Sequence, residues 1–372
     1  MTWVFWACLA LMGYTYLGYP LWLCLRNRMR PRPVRRRDVL PTVSMVIAAH
    51  NEAAVLPAKL ASLGELDYPA ERLEIVVASD GSTDGTEKIL EARAGERLRF
   101  ILLPERQGKA AALNQAVQAA RGEVIVFTDA RQAMERESLR KLVSNLADAE
   151  VGCVSGELCL FDSGGKRSTE GVGLYWSMEK MIRKWESSSG SVVGATGAIY
   201  AARRELVPAL PAGTILDDVY IPMEIVRRGY RVVFEPEARA WDAASEGFLR
   251  EFRRKVRTLT GNYQLLQLMP WLLTRGNPLR FELVSHKLLR LLVPFALVGL
   301  LASAALLSGS FYRAFLMGQL VFYGVAPLAV VWPRFPGVGR VANVALSFVV
   351  LNTAALVALV QFLAGKKEVW VR

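Results

Sequence analysis

Short apolar runs alternate with segments of helical apolar spacing between residues 42 and 128. Polar or turn-forming residues bound each run, as in buried strands of a parallel sheet. The four runs are Thr42–Ala49, Leu73–Ala78, Arg99–Leu103 and Glu123–Thr128. The helical segments between them are 53–66, Glu87–Ala94 and Gly108–Ala120. Strands that alternate with helices of this length predict an α/β fold with an open, mostly parallel sheet and right-handed crossovers.

Four longer apolar windows contain no Lys, Arg, Asp or Glu. They are Thr2–Leu25, Leu291–Tyr312, Ala314–Pro333 and Val341–Gly365. A helix needs about 20 apolar residues to cross a bilayer, so each window is long enough. The windows predict one N-terminal transmembrane helix and about three C-terminal ones. A cleaved signal peptide is the alternative for the first window, but no basic residue precedes it and no small-x-small cleavage site is evident.

Charge indicates how these helices are oriented. The chain has a net charge of +12, and a cluster of arginines follows the first window. The cluster comprises Arg26, Arg28, Arg30, Arg32, Arg35, Arg36 and Arg37. By the positive-inside rule we expect a multi-pass protein of the cell (inner) membrane, with the N-terminus outside and the sheet in the cytoplasm. Three further crossings return the C-terminus to the outside, which Lys366, Lys367 and Arg372 contradict.

The boundaries of these segments give the expected organisation. It is a transmembrane helix (1–25), a basic linker (26–40), an α/β domain (41–248), a basic and amphipathic interfacial segment (249–290), transmembrane helices (291–365) and a tail (366–372). Within the interfacial segment, residues 261–283 are expected to lie on the membrane surface, with a core helix as the alternative. The basic residues concentrate beside the predicted spans, which argues against nucleic acid as a partner and favours lipid headgroups and sugar diphosphates.

Polar clusters follow three of the predicted strands directly. His50-Asn51-Glu52 follows the first, a Gly, Ser, Thr and Asp turn beginning at Ser79-Asp80 follows the second, and Asp129 follows the fourth. In an open α/β sheet, ligands bind beyond the carboxyl ends of the strands, so we expect a site there. The alternatives are a βα turn around Asp80 and a helix cap at Asp129.

Two further motifs carry candidate chemistry. Gly108-Lys109 opens a helix, and a helix N-terminus with a lysine is a competent anion site, although Lys109 alone is equally a solvated surface residue. Asp217 and Asp218 precede a segment of helical spacing, where capping is the alternative interpretation. Two adjacent carboxylates exceed what a cap needs. Asp218, fixed at a helix start with an open face, is therefore the candidate catalytic base.

These motifs together resemble a known family. The segments VSMVIAAHNE, SDGSTDGT, RQGKAAALN, FTDAR, TGAIYAARR and LDD occur in the order found in inverting family 2 glycosyltransferases with a GT-A fold. The layout is similar to the membrane branch with cellulose, chitin and hyaluronan synthases and ceramide glucosyltransferase. The resemblance covers about Pro41 to Gly261. It implies a GT-A Rossmann-like catalytic domain, a nucleotide-diphosphate sugar donor (expected to be a UDP-sugar), a lipid or glycan acceptor, and Mg²⁺ or Mn²⁺.

The resemblance also implies roles for individual residues. Donor binding falls on Glu52, Asp80, Lys109, Asp129 and Arg257. Asp129 matches the first carboxylate of the metal-binding Asp-x-Asp motif. Gly197 and Ala198 match the turn that lines the acceptor site. Asp217 and Asp218 fall at the Glu-Asp of the Thr-Glu-Asp motif, which makes Asp218 the base.

Two departures from the family pattern keep alternatives open. Arg131 replaces the second carboxylate of Asp-x-Asp, so either Asp129 holds the metal with the diphosphate or Arg131 partly substitutes for it. The Gln-x-x-Arg-Trp motif of processive members keeps Arg257 but loses Gln and Trp. The hypotheses are a single transfer at the cytoplasmic face, a processive polysaccharide synthase that secretes its polymer, and a non-catalytic nucleotide-sugar-binding membrane protein.

Overall fold

The computed structural model describes residues 1–95, 97–161, 167–168, 174–243, 248–331 and 338–365. Nine strands form one sheet within these residues. They are β1 (Val43–Ala49), β2 (Leu73–Asp80), β3 (Leu98–Leu103), β4 (Val124–Phe127), β5 (Ala133–Met134), β6 (Val151–Phe161), β7 (Arg167–Ser168), β8 (Tyr200–Arg203) and β9 (Arg231–Ala243). The first four confirm the strands predicted from the apolar runs.

The sheet has the order β3-β2-β1-β4-β8-β6-β9-β5, and β7 pairs with β6. Strands β3, β2, β1 and β4 are parallel, and so are β6 and β9. The short strand β8 runs antiparallel between β4 and β6. The mostly parallel sheet is thus confirmed. Because β1, β2 and β4 are parallel neighbours, the residues that follow them meet at one edge of the sheet.

Helices cover both faces of the sheet and continue into the apolar segments. They are α1 (Thr2–Gly13), α2 (Tyr19–Met29), α3 (Leu56–Gly64), α4 (Thr86–Ala92), α5 (Lys109–Ala119), α6 (Ser138–Asn145), α7 (Leu174–Ser189), α8 (Asp217–Arg227), α9 (Phe248–Leu268), α10 (Arg280–Glu282), α11 (Leu289–Leu306), α12 (Ser310–Val325), α13 (Leu328–Val331) and α14 (Val338–Leu363). A π-helical turn joins α1 to α2 and another joins α10 to α11. Each of these pairs forms one continuous helix.

The core lies on both faces of the sheet, which explains why its central strands are mostly apolar. Along β1, Met45 and Ile47 belong to one buried cluster, whereas Val46 and Ala48 belong to the other. Successive side chains of a strand point to opposite faces, so a strand covered on both sides carries apolar residues in a near-continuous run.

Three helices among the described residues are long and apolar enough to cross a membrane. They are Thr2–Met29, Arg280–Leu306 and Val341–Leu363. The second of the three predicted C-terminal crossings, Ala314–Pro333, is corrected: α12 ends at Val325 after 16 residues, and the following α13 has only four. A 16-residue helix is about 24 Å long, shorter than the hydrocarbon core. The end of that window, 332–333, lies outside the described residues, as does the tail 366–372.

The segment expected on the membrane surface instead packs largely on the domain. Leu265, Met269 and Leu272 are buried in the same cluster as β1 and α8 side chains. The apolar face of 261–283 therefore packs on protein at these three positions, and the position of the segment at the membrane surface stays a prediction. On its other side, α9 packs Val256 against Ala354 of α14.

A buried polar cluster joins the sheet domain to two of the apolar helices. His286 Nδ1 lies 2.9 Å from Glu186 Oε1, and its Nε2 lies 3.0 Å from Glu179 Oε1. The Tyr19 hydroxyl donates to Glu186 Oε1 at 2.6 Å. Tyr19 comes from the N-terminal helix, His286 from the helix that contains α11, and both glutamates from α7. Helix α7 therefore connects the domain to these two apolar helices, as α9 connects it to α14.

Candidate active site

The predicted polar clusters do meet at one edge of the sheet, but Asp80 has a different environment from the one expected. Asp80 ends β2 and is fully buried. Its Oδ1 accepts the N–H of Gln107 at 2.7 Å, and its Oδ2 accepts the N–H of Gly108 at 2.9 Å. Both carboxylate oxygens thus hold the loop that starts α5. In this arrangement Asp80 positions Lys109, and the expected nucleotide contact of Asp80 stays a prediction.

The turn after Asp80 requires glycine. Gly81 has a φ of +59°, and a Cβ there would lie 2.7 Å from the backbone nitrogen of Arg106. Glycine adopts this conformation at no steric cost, and its missing side chain lets the two loops touch. The glycine in SDGSTDGT is therefore explained by close packing of two backbone loops, in addition to any role of the motif in ligand binding.

Lys109 lies where three elements meet. Its Nζ lies 3.1 Å from Asp129 Oδ1, after β4, and 3.1 Å from Asp217 Oδ1, at the start of α8. Burial acts to lower the pKa of Lys109, but the charges of Asp129, Asp217 and Asp218 outweigh burial and raise it. Lys109 is therefore a fixed cation among carboxylates, and three predicted site residues distant in sequence come together.

Asp218 has the environment expected of a base. It lies in the first turn of α8, where Oδ2 accepts the N–H of Gly197 at 3.1 Å and the carbonyl accepts the N–H of Ala195 at 2.6 Å. Burial raises the pKa of Asp218 to about 6, with Asp217 and Asp129 adding to the rise and Lys109 opposing it. A carboxylate whose pKa is near the working pH is a more effective proton acceptor than an ordinary one.

Gly197 and Ala198, both expected to line the acceptor site, differ in their surroundings. Gly197 contacts the Asp218 carboxylate directly. Ala198 is only 4% exposed, and its carbonyl accepts the Thr128 hydroxyl at 2.8 Å. The Ala198 side chain is buried in the core while the Gly197 backbone faces Asp218, and the acceptor-binding role of both residues stays a prediction.

Glu52 belongs to the same edge. Its N–H donates to Thr86 Oγ1 at 2.9 Å, which fixes the backbone at the start of its loop. Burial raises the pKa of the Glu52 carboxyl; Arg131 opposes this rise and Asp129 adds to it. Glu52, Asp129 and Arg131 are therefore close enough to interact, as a shared donor-binding region requires.

The residues present fit a hard divalent cation that is also held by its substrate. Within the part of the chain that the structure describes, no three His, Cys, Asp or Glu side chains are grouped to hold a metal. Asp129, however, is 39% exposed, and it converges with Asp217 on one cationic group, the Lys109 ammonium. A Mg²⁺-type site needs only one or two carboxylates when a diphosphate and water supply the other ligands.

Arg257 is not brought to the carboxylates. It is half-buried on α9, and among the described residues it forms no hydrogen bond or ion pair with Asp129, Asp217 or Asp218. Its expected role at the leaving group therefore stays a prediction, which requires Arg257 to reach the donor directly.

The sequence analysis missed two buried polar residues behind the site. Lys59 Nζ donates to Thr128 Oγ1 at 2.7 Å and to the Gln132 carbonyl at 2.6 Å, and burial lowers its pKa to about 7. Tyr200 stacks on Phe127 at 4.5 Å, and its buried hydroxyl has no hydrogen-bond partner among the described residues. The available signal for Lys59 was a lysine on the apolar face of its helix.

Large parts of the chain are similar in sequence to known proteins. Residues 44–210 match the family described as glycosyl transferase family 2. The chain is 28% identical over 284 residues to an N-acetylglucosaminyltransferase of Rhizobium meliloti, covering 72% of this chain and 66% of that protein. It is 24% identical over 247 residues to a poly-beta-1,6-N-acetyl-D-glucosamine synthase of Staphylococcus aureus, covering 65% of this chain. The match spans 60% of the length of that synthase.

A solved structure extends the similarity to nearly the whole chain. The mannosyltransferase PcManGT from Pyrobaculum calidifontis, in complex with GDP-Man and Mn²⁺, superposes with a TM-score of 0.73 at 25% sequence identity. The superposition covers 98% of this chain and 99% of that one. It confirms the predicted fold class, including the apolar helices that flank the sheet domain.

Proposed function

We propose that the protein is a membrane-bound inverting glycosyltransferase, supported by the match of residues 44–210 to glycosyl transferase family 2. It moves a sugar from a nucleotide-diphosphate sugar to a hydroxyl of a lipid or glycan acceptor. The observation that carries the proposal is Asp218, a carboxylate of raised pKa fixed by the Gly197 N–H beside the Lys109 cluster. The donor is expected to be a UDP-sugar, and GDP-mannose is the donor named for the similar structure.

The reaction is an in-line displacement at the anomeric carbon. The acceptor oxygen forms a bond to that carbon while the bond to the diphosphate oxygen breaks, so the configuration inverts. The proton of the acceptor hydroxyl passes to the Asp218 carboxylate. A positioned base of this kind contributes about 10² to 10⁴-fold, and the remaining rate comes largely from positioning and charge stabilisation.

Lys109 and the start of α5 receive the negative charge of the departing diphosphate. The positive end of the helix dipole and a lysine form an anion site, and the Asp80 carboxylate holds the preceding loop in place. Mg²⁺ or Mn²⁺, held by Asp129 with Asp217 nearby, would supply further neutralisation of the diphosphate when bound. Arg131 supplies positive charge at the position where the family has its second carboxylate. Arg257, on α9, contacts the diphosphate of the donor.

We place the 41–248 domain at the cytoplasmic face of the cell (inner) membrane, where activated sugars are made. If all three candidate helices cross, where four were expected from sequence, the two chain termini lie on opposite sides of the membrane. With the N-terminus outside, this topology puts the basic tail on the cytoplasmic side. The positive-inside rule does not decide between the two counts, because the three-helix count moves Arg313 and Arg340, between the last two crossing helices, to the outside.

A processive synthase is the second candidate, favoured by the similarity to the poly-beta-1,6-N-acetyl-D-glucosamine synthase. The loss of Gln and Trp around Arg257 favours a single transfer instead. Product length separates these two outcomes. A non-catalytic nucleotide-sugar-binding protein is the third possibility, and release of nucleotide diphosphate separates it from both enzymes.

The test uses the full-length protein in lipid with a panel of UDP- and GDP-sugars and with Mn²⁺ or Mg²⁺. We expect diphosphate release with at least one donor, loss of transfer in Asp218→Asn, and a nearly unchanged donor affinity in that variant. Asp38→Asn is the control, because Asp38 is an exposed carboxylate paired with Arg140 away from the site. Near-normal transfer by Asp218→Asn would remove Asp218 from the role of base.

A further inference from the structure

We infer that Arg183 is a positioning residue for the catalytic base: it holds the 194–197 turn, and that turn fixes the Asp218 carboxylate. The inference rests on the proposed role of Asp218. Arg183 does not touch Asp218 through a hydrogen bond. It acts through the Thr196 and Ser155 hydroxyls, which link α7 to the 194–197 turn.

The first step is the set of hydrogen bonds around the Arg183 guanidinium. Its Nη1 donates to Thr196 Oγ1 at 2.5 Å, and its Nη2 donates to Ser155 Oγ at 2.7 Å. The same Ser155 oxygen accepts the backbone N–H of Thr196 at 2.9 Å. Arg183 and Ser155 therefore hold both the side chain and the backbone of Thr196, so this residue has little freedom to move.

The 194–197 turn in turn holds Asp218 through two backbone hydrogen bonds. Ala195 donates its N–H to the Asp218 carbonyl at 2.6 Å, and Gly197 donates to Asp218 Oδ2 at 3.1 Å. Thr196 lies between these two donors in the chain. A displacement of Thr196 consequently moves both N–H groups that orient the backbone and the carboxylate of Asp218.

Glycine at position 194 completes the contact. Gly194 has a φ of +88°, and a Cβ there would lie 2.9 Å from Cγ2 of Val219, the residue after Asp218. The turn thus packs against the first turn of α8 as closely as a backbone without side chains allows. Such close packing transmits small shifts of the turn to the helix.

The third step concerns the charge of Arg183. Burial lowers the pKa of Arg183, while Glu179, Glu186 and Asp218 oppose this effect. Glu179 and Glu186 lie four residues before and three after Arg183, on the same face of α7, and both are held by His286. Phe234 covers the guanidinium at 4.8 Å. A buried cation kept among carboxylates favours the ionised form of Asp218, as does the Gly197 N–H that Arg183 keeps in place.

A second arginine offers a matched control on the strand that follows the turn. Arg203 Nε donates to the Val151 carbonyl at 2.9 Å, and its Nη2 donates to the Leu146 carbonyl at 2.7 Å. These contacts lie at the far end of β8 and do not involve the 194–197 turn. Arg203 is thus a structural arginine of the same sheet without a contact to the base.

The experiment compares Arg183→Met, Arg183→Lys and Arg203→Lys in full-length protein for donor affinity, maximal transfer rate and the pH dependence of that rate. We expect Arg183→Met to lower the maximal rate by about 10 to 100-fold, with donor affinity unchanged within about twofold. We also expect the acid limb of its pH–rate profile, the fall in rate at low pH, to move to higher pH. The reason is that the Asp218 carboxylate loses stabilisation of its charged form. Arg183→Lys should restore part of both effects, and Arg203→Lys should leave the acid limb at the wild-type pH.

Thr196→Val tests the positioning role of Arg183 if Arg183→Met does not fold. It removes the hydroxyl that Arg183 binds and should move the acid limb in the same direction. An unmoved acid limb in the variants that fold would overturn the inference while the inactivity of Asp218→Asn left the proposed function standing. Retained transfer in Asp218→Asn would instead overturn the proposed base, whatever Arg183 does.

Discussion

The backbone nitrogen of Gly197 lies 3.1 Å from Oδ2 of Asp218, and a Cβ built on Gly197 would lie 3.1 Å from the same oxygen. Gly197 thus donates its N–H to the Asp218 carboxylate, and a side chain at position 197 would press against that same carboxylate. Glycine is required at this position for close approach to a reactive group, and its φ is not in the left-handed region. The turn therefore both orients the base and leaves it room.

Gly197→Ala tests this relationship. A Cβ at 3.1 Å forces the carboxylate to shift by a few tenths of an ångström, so we expect transfer to fall by about threefold to tenfold with donor affinity retained. The measurement is initial transfer rate at saturating donor. Gly64→Ala is the control, because a Cβ at Gly64 meets no atom within 4 Å. Equal rates in Gly197→Ala and wild type would show that the carboxylate tolerates the shift.

The pH dependence of the wild type follows from the raised pKa of Asp218. A base must be ionised, so transfer should be constant above about pH 6 and should fall about tenfold per pH unit below it. Rates at saturating donor across this range measure the effect. A rate that stays flat well below pH 6 would place the essential base elsewhere, or give Asp218 an ordinary pKa.

Lys109→Met should move that acid limb upward. Burial, Asp217 and Asp129 raise the pKa of Asp218, and Lys109 lowers it more than Lys287 does, so removing Lys109 takes away the larger of these two opposing charges. We also expect donor affinity to fall by about tenfold or more, because the anion site loses its charged donor. Lys88→Met, on the exposed face of α4, is the control. An acid limb that stays in place would contradict the coupling of Lys109 to the base.

Arg131→Asp tests the departure from the Asp-x-Asp pattern. The substitution restores a second carboxylate beside Asp129, so half-maximal transfer should require less Mn²⁺. Arg131→Gln removes the charge without adding a ligand and separates the two effects. The measurement is transfer rate against Mn²⁺ concentration. If Arg131→Asp abolished transfer while Arg131→Gln retained it, the acidic side chain would be harmful and Arg131 would not simply stand in for a metal ligand.

The sequence predicted those parts of the molecule that repeat a local pattern. The two-faced burial of β1 makes all its positions but Ser44 apolar, and Asp129, Asp217 and Asp218 each follow an apolar run or open a helix. Patterns of this kind depend on neighbours in the chain. They located the sheet edge at which the carboxylates meet.

The sequence could not predict contacts that depend on tertiary packing. The amphipathic pattern around Leu265 is the same whether its apolar face meets lipid or protein, so only the structure assigns it to the core. The buried partners of Asp80 lie 27 and 28 residues further along the chain, and no local pattern reveals them. His286 contacts glutamates 100 and 107 positions away, which explains why two histidines carried no signal on their own.

Lys59 provides a test on stability rather than on rate. Its folded-state pKa is about 7, below the ordinary value of 10.5, because burial disfavours the charged form. Between these values the unfolded chain binds a proton that the folded one does not, so the contribution of Lys59 to stability rises with pH across that window. Below pH 7 the full cost of burying the charge is present.

Lys59→Met should therefore flatten the pH dependence of stability. It also removes the hydrogen bonds to Thr128 and Gln132. The unfolding midpoint of the variant should therefore fall further below that of the wild type as pH rises from about 7 towards 10. The measurement is the thermal unfolding midpoint in detergent at several pH values, with Lys88→Met as the exposed control. Parallel curves for wild type and Lys59→Met would show that Lys59 keeps an ordinary pKa, and that its ammonium is stabilised by groups other than the two oxygens it contacts.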